Sequence, residues 1–78
     1  MTGHDRQWAL ARMCAAHRAA KDHRVIALRL CQLGRIARGA GLTDAIRRLV
    51  SAARKHRSIA VQYGRERNGL IAEVTRAA

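Results

Sequence analysis

The residues of this 78-residue chain that are best suited to chemistry are its arginines. Sixteen residues are Lys or Arg, fourteen of them Arg, against five Asp or Glu, so the formal net charge is +11 with neutral histidines. The planar guanidinium group forms paired hydrogen bonds with phosphate and with the edge of guanine. A small chain of this charge is attracted to nucleic acid, although GC-rich coding also produces an Arg- and Ala-rich composition. Nucleic acid is therefore the predicted partner.

The basic residues are most regularly spaced in a helix predicted over residues 43–57. Thr43 can cap this helix and Asp44 favours the positive end of its dipole. Apolar residues recur on one side, at Ile46, Leu49 and Ala53, and cationic or hydroxyl side chains occupy the other side. The residues predicted to contact DNA here are Arg47, Arg48, Ser51, Arg54 and Lys55.

Other chemistries are less well supported by the spacing of their residues. Two Cys and two His, at Cys14, His17, His23 and Cys31, are the residue types of a zinc site, but their spacing fits no ligand pattern. Cys14 with His17 has neither a carboxylate partner nor an oxyanion donor, and Gly39-Ala40-Gly41 lacks the Lys-Ser/Thr of a phosphate-binding loop. We therefore predict neither an enzyme nor a protein with a metal or other cofactor.

Cellular location follows from composition. No stretch approaches the roughly 18 apolar residues of a membrane span, and the first residues show no secretory signal. Two cysteines are too few for a disulfide scaffold. We predict a cytoplasmic protein that does not bind a membrane.

The elements that must position the basic residues are separated by glycines. A first helix is predicted from about 5 to 21, a short polar turn at 21–23, and a second helix over 24–38. Gly39 and Gly41 supply the permissive backbone that ends the second helix. The basic helix over 43–57 is then the third helix of a single domain that spans residues 1–78.

Residues 58–76 allow two interpretations. Strands over 58–63 and 70–75, joined by a charged turn over 64–69, would form a β-hairpin, and this is the preferred prediction. Alternatively, the third helix continues as one long C-terminal helix in an all-α protein. Its apolar seam would then alternate by three and four residues, as in a coiled coil: Ile46, Leu49, Ala53, His56, Ala60, Tyr63, Arg67, Leu70 and Val74.

Three helices followed by a β-hairpin resemble a winged helix-turn-helix DNA-binding domain. Ala37, the turn glycine Gly41, and the Leu42-Thr43 pair resemble the helix-turn-helix signature of that family. The resemblance implies a mainly α fold, a three-helix bundle with a C-terminal β-hairpin wing. It also implies that helix 43–57 lies in the major groove and that wing 64–69 contacts the DNA backbone. The wing residues expected at DNA are Arg65, Arg67 and Asn68.

The core predicted from this composition is thin. Apolar residues make up 49%, but sixteen of them are Ala and none is Phe, which suggests burial against a second subunit. The residues predicted at a homodimer contact are Trp8, Ala11, Ala15 and Ala19. The predicted function is sequence-specific binding of double-stranded DNA by a small transcriptional regulator or mobile-element accessory protein. The alternatives are a protein-interaction module, such as a phage or mobile-element inhibitor or adaptor, and, less favoured, RNA binding.

Overall fold

A computed structural model describes residues 2–77, which form two antiparallel helices. Helix α1 comprises Gly3–Gly39 and helix α2 comprises Thr43–Ala77. The Cα atoms extend over 58 × 13 × 13 Å. At about 1.5 Å per residue, one such helix accounts for the whole length of the molecule. The molecule is therefore a helical hairpin, and its side chains project from two long helices that lie side by side.

The predicted turn over 21–23 is wrong, because α1 runs through it without a break. Lys21 and Asp22 are exposed, and His23 is half-buried at the contact with α2. Polar residues do not end a helix when their side chains reach water and no Gly or Pro interrupts the backbone. The predicted first and second helices are one element.

The β-hairpin wing is also wrong. No residue of the described chain is in a strand, and residues 58–76 belong to α2. The alternative of a long C-terminal helix is confirmed. Packing of its seam against α1 outweighs the β-preference of Ile59 and Val61 and the roughly 1 kcal/mol that each interior glycine costs. The three-helix bundle with a wing that the resemblance implied is absent from this structure.

The turn between the helices is where the glycine pattern predicted it. Gly41 has φ 71°, in the left-handed region that favours glycine. The N–H of Leu42 donates to the carbonyl of Ala37 at 2.9 Å and that of Gly41 to the carbonyl of Arg38 at 3.1 Å, which is a Schellman motif. Thr43 is the first residue of α2 rather than its cap, because the carbonyl of Leu42 accepts from the N–H of Ile46.

The core is a narrow seam of small side chains between the helices. Leu70 is the one large residue among the buried apolar side chains of residues 2–77, and the others are alanines. The large residues Ile26 and Leu33 of α1 are exposed, while their small neighbours Ala27 and Gly34 are buried. Small residues allow the two backbones to approach closely. The buried alanines are Ala9, Ala16, Ala20, Ala27, Ala37, Ala53 and Ala60.

Neither helix, over the residues that the structure describes, is both long and apolar enough to cross a membrane.

Candidate nucleic-acid interface

The side of α2 that faces away from α1 carries the basic residues predicted from the sequence. The seam toward α1 repeats every three or four residues, so the residues between its members point outward. All five residues predicted in helix 43–57 are exposed and lie on this side. We call this surface the outer face of α2: Arg47, Arg48, Ser51, Arg54, Lys55, Ser58 and Arg65.

The outer face of α2 holds no carboxylate beyond the first turn of the helix. Asp44 lies in that first turn, where the helix dipole favours it. The two glutamates of α2, Glu66 and Glu73, lie on the edge of the helix, beside the seam. From Arg47 to Arg76 the outward-pointing side chains, apart from Val61, are therefore cationic, hydroxyl, amide or small, over about 43 Å at 1.5 Å per residue.

The residues predicted for the wing are separated by the helical structure. Arg65 and Asn68 are exposed on the outward side of α2, whereas Arg67 is half-buried in the seam. The Nη1 atom of Arg67 lies 2.9 Å from Nδ1 of His17 on α1. Because a guanidinium has only donors, Nδ1 of His17 accepts this hydrogen bond. Arg67 thus joins the two helices instead of extending from a hairpin tip.

A groove between the helices brings together three arginines that no sequence motif had grouped. Arg24 of α1 and Arg57 and Arg67 of α2 line it, together with Val61. Its other lining residues, Ala20, Ala60 and Gly64, are small. We call this site the arginine groove. None of its three guanidinium groups is paired with a carboxylate in the described part of the chain, where the one ion pair is formed elsewhere.

The arginine groove is suited to an anion. Nη2 of Arg57 lies 3.8 Å from Sγ of Cys31, a weak acceptor that leaves most of its donors available. Arg67 already donates to His17 and, at 3.2 Å, to Oδ1 of Asn68. Arg24 and Arg57 therefore have the more available donors, and a phosphate group offers them paired acceptors. Sequence reasoning missed this site because Arg24 and Arg57 are 33 residues apart. One sign of the groove in the sequence is that Arg57 and Gly64 are seven residues apart, which places both on one edge of α2.

The opposite flank of the hairpin has a different character. Arg12 Nη2 and Glu66 Oε1 form an exposed ion pair at 3.3 Å that crosses from α1 to α2 on this flank. We call this side of the hairpin the apolar-acidic flank, because apolar side chains and four of the five acidic residues lie on it. Its α1 residues are Asp5, Trp8, Arg12, Ala15, Ala19, Asp22, Ile26, Arg29, Leu33 and Ile36, and its α2 residues are Ala45, Ala52, Ile59, Glu66 and Glu73.

Three of the four residues predicted at a dimer contact lie on the apolar-acidic flank. Trp8, Ala15 and Ala19 are there, and Ala19 is half-buried against the neighbouring helix. Ala11 is exposed on α1, three residues after Trp8 and four before Ala15, so it borders the flank beside these two residues.

Two histidines meet at the middle of the seam. Nδ1 of His23 and Nδ1 of His56 are 2.8 Å apart, and their rings stack with centroids 5.0 Å apart. The ring of Tyr63 stacks on the other side of His23, with centroids 5.9 Å apart. One Nδ1 must carry a hydrogen and the other must accept it, so the two rings are in different tautomers. This cluster is a polar layer in a seam that is formed mainly by small apolar side chains.

We expect His56→Ala to destabilise the hairpin because His23 loses both a hydrogen-bond partner and a stacked ring. The expected loss in the free energy of unfolding is about 1–2 kcal/mol. Urea unfolding followed by circular dichroism measures it. His4→Ala, at an exposed position near the start of α1, is the matched control and is expected to change little. Equal effects of the two substitutions would contradict a structural role for the histidine pair.

The residues considered for a zinc site are dispersed. His17 contacts Arg67 and His23 contacts His56, while Cys14 is an exposed free thiol and Cys31 lies near Arg57. Within residues 2–77, no group of three or more His, Cys, Asp and Glu residues could hold a metal ion.

Comparisons of the chain with protein-family models, with curated proteins and with solved structures found no match. The interface is therefore interpreted from its own geometry and charge.

Proposed function

We propose that the protein binds double-stranded DNA through the outer face of α2. The observation that supports this most directly is the row of Arg47, Arg48, Arg54 and Lys55, all exposed and with no carboxylate among them. Phosphate contacts from such residues supply most of the affinity of a DNA-binding protein. Ser51 lies between the pair Arg47–Arg48 and the pair Arg54–Lys55. Its small side chain permits a close approach of α2 to the DNA backbone.

The shape of α2 suits the major groove. An α-helix with its side chains is about 10–12 Å across, and the major groove of B-DNA is about 12 Å wide. Helix α1 covers only the side of α2 that would face away from the DNA. A straight helix leaves the curved groove after a few base pairs, so contacts beyond that length would be to phosphates.

Within this proposal the basic residues have separate roles. Arg47 and Arg48, near the start of α2, reach guanine edges, while Arg54 and Lys55 hold phosphates. Arg57 follows Arg54 by three residues and leads from the outer face to the arginine groove, which binds a phosphate at the edge of the DNA. Sequence-specific binding of this kind would make the protein a small transcriptional regulator or mobile-element accessory protein. The proposed location is the cytoplasm, where its two free cysteines stay reduced.

Duplex DNA is preferred over RNA on two grounds. The major groove of A-form RNA is too narrow for a helix, and single-stranded RNA is recognised by stacking on aromatic side chains. Trp8 is exposed on the apolar-acidic flank, away from the outer face of α2, and Tyr63 is half-buried against His23. Neither aromatic residue is placed to stack on a base held by the arginines.

Fluorescence anisotropy with duplex DNA, duplex RNA and single-stranded DNA tests the proposal. Duplex DNA is expected to bind most tightly, and three phosphate contacts, from Arg54, Lys55 and the arginine groove, predict a loss of affinity of about 40-fold between about 50 and 200 mM salt. Repeated selection from a random duplex pool is expected to enrich a common sequence. Equal affinity for all three nucleic acids, or a flat salt dependence, would contradict the proposal. Failure to enrich a sequence would contradict the base-reading role of Arg47 and Arg48.

A further inference from the structure

The hairpin exposes more surface than a compact chain of its mass. Its accessible surface is 6050 Å², whereas a compact monomer of 8.6 kDa is expected to expose about 4,700 Å². The excess is roughly 1,300 Å² per chain. Stable homodimers bury about 1,000 Å² or more on each partner. The exposed excess is therefore of the size that one further copy of the chain would cover.

Charge decides which surface a second copy can cover. The charged side chains of the outer face of α2 and of the arginine groove are all cationic. Pairing either surface with its own copy would therefore place arginine against arginine. The apolar-acidic flank instead holds two basic and four acidic residues, in a chain of net charge +11. Four of its large apolar residues, Trp8, Ile26, Leu33 and Ile36, are exposed, and the fifth, Ile59, is half-buried. This flank is the part of the surface that can meet its own copy without strong repulsion.

The order of residues along the flank selects an antiparallel arrangement. At about 1.5 Å per residue, Glu73 lies about 45 Å from the start of α2. Arg48, which borders the flank, lies about 8 Å from the start of the same helix. A two-fold axis through the middle of the hairpin brings Glu73 of one copy level with Arg48 of the other. The same axis brings Glu66 level with Lys55. A parallel pair would instead align each of these charges with itself.

Side-chain sizes agree with the same arrangement. The two-fold axis places the small residues Ala15 and Ala19 of one copy level with Ile26 and Ile59 of the other. Large side chains then pack onto small ones, as close-packed interiors require. Trp8, near the open end, comes level with Leu33 near the turn of the other copy.

We propose that a second copy of this chain covers the apolar-acidic flank in antiparallel orientation, forming a four-helix bundle. The inference does not depend on DNA binding. Each copy retains an exposed arginine groove and, apart from Arg48 and Lys55 at the border of the interface, an exposed outer face of α2.

Sedimentation equilibrium at concentrations up to about 100 µM tests the dimer, because association depends on concentration. The wild-type chain is expected to have twice the 8.6 kDa mass of one chain. Leu33→Glu places a charge on the flank and is expected to yield the monomer mass, whether or not that monomer stays folded. A wild-type monomer at the highest concentration, or a Leu33→Glu dimer as stable as wild type, would overturn the proposal.

Leu28→Glu is the matched control. Leu28 is 63% exposed on the outward side of α1 and Leu33 is 50% exposed, so the two variants add the same charge to exposed positions of one helix. Leu28→Glu is expected to remain dimeric. Dissociation of both variants would show that added negative charge, rather than this flank, controls the mass, and would overturn the proposed interface.

A spin label reports the orientation of the two copies. The label is attached to Ala40→Cys, in the turn, in a chain that also carries Cys14→Ser and Cys31→Ser. An antiparallel dimer is expected to separate the two labels by a distance close to the 58 Å length of the hairpin. A distance below half that length would overturn the antiparallel arrangement.

Discussion

Replacement of Arg47, Arg48, Arg54 and Lys55 by Gln is expected to weaken binding to duplex DNA at least 100-fold at about 100 mM salt. Each lost phosphate contact is expected to reduce the slope of log affinity against log salt by about 0.9. Glutamine keeps much of the side-chain length and has a helix propensity close to that of the residues it replaces, so α2 stays folded. Anisotropy titrations at several salt concentrations measure both quantities, and circular dichroism verifies the helix.

A second fourfold variant separates the effect of this surface from that of total charge. It carries Gln at four exposed basic residues of α1 and loses the same four positive charges. Its affinity is expected to fall much less, because its outer face of α2 is intact. If both variants weaken equally, net charge alone attracts the DNA and the outer face of α2 is not its contact surface. The control residues are Arg18, Lys21, Arg35 and Arg38.

Leu70→Ala is expected to have the largest effect of any single substitution on stability. Leu70 is 5% exposed and is the one large side chain among the buried apolar residues of the described chain. Truncating a buried Leu costs about 2–5 kcal/mol, through lost burial and the cavity that remains. Small domains have net stabilities of about 5–15 kcal/mol, so this substitution removes a large share of the total. Urea unfolding monitored by circular dichroism measures the change.

The neighbouring Ile71→Ala is the control for Leu70→Ala. Ile71 is 41% exposed on the edge of α2 beside the arginine groove. Its truncation is expected to cost clearly less than that of Leu70, because its side chain is already partly in water and leaves no enclosed cavity. Similar losses for Leu70→Ala and Ile71→Ala would contradict the assignment of Leu70 to the core of the hairpin.

The turn was predictable because its chemistry is local. Gly41 adopts a left-handed backbone that few other residues tolerate, and Asp44 favours the positive end of a helix dipole. Such effects depend on residues a few positions apart, and a sequence displays them directly. The prediction placed the helix cap at Thr43, whereas Thr43 is the first residue of α2. An error of one residue is expected where neighbouring residues compete for the capping position.

The β-hairpin prediction failed because strand preference is a weak local effect. Ile59, Val61 and the Asn68-Gly69 pair favour a strand and a turn when considered alone. They are outweighed by a seam that packs against α1 along the whole of α2. The energy of that seam depends on a helix more than 30 residues away, so local propensity could not reveal it. The polar segment over 21–23 was misassigned for the same reason.

The candidate site was predictable in part. Arg47, Arg48, Arg54 and Lys55 lie together because helical spacing alone puts them on one side of α2. Arg67 was misplaced because its environment includes His17 on the other helix. The arginine groove was missed entirely, since it forms only when residues from both helices come together.

The sequence by itself determined that the chain is strongly basic, that its core is thin and alanine-rich, that a turn follows Gly39, and which side of α2 carries cations. These properties follow from composition, from backbone preference and from the 3.6-residue helical period. Only the tertiary structure decided that there are two helices rather than three with a wing, and that four of the five acids share one flank while most of the arginines lie elsewhere. Both outcomes depend on how α1 and α2 align, and that alignment is set by contacts between residues distant in the chain.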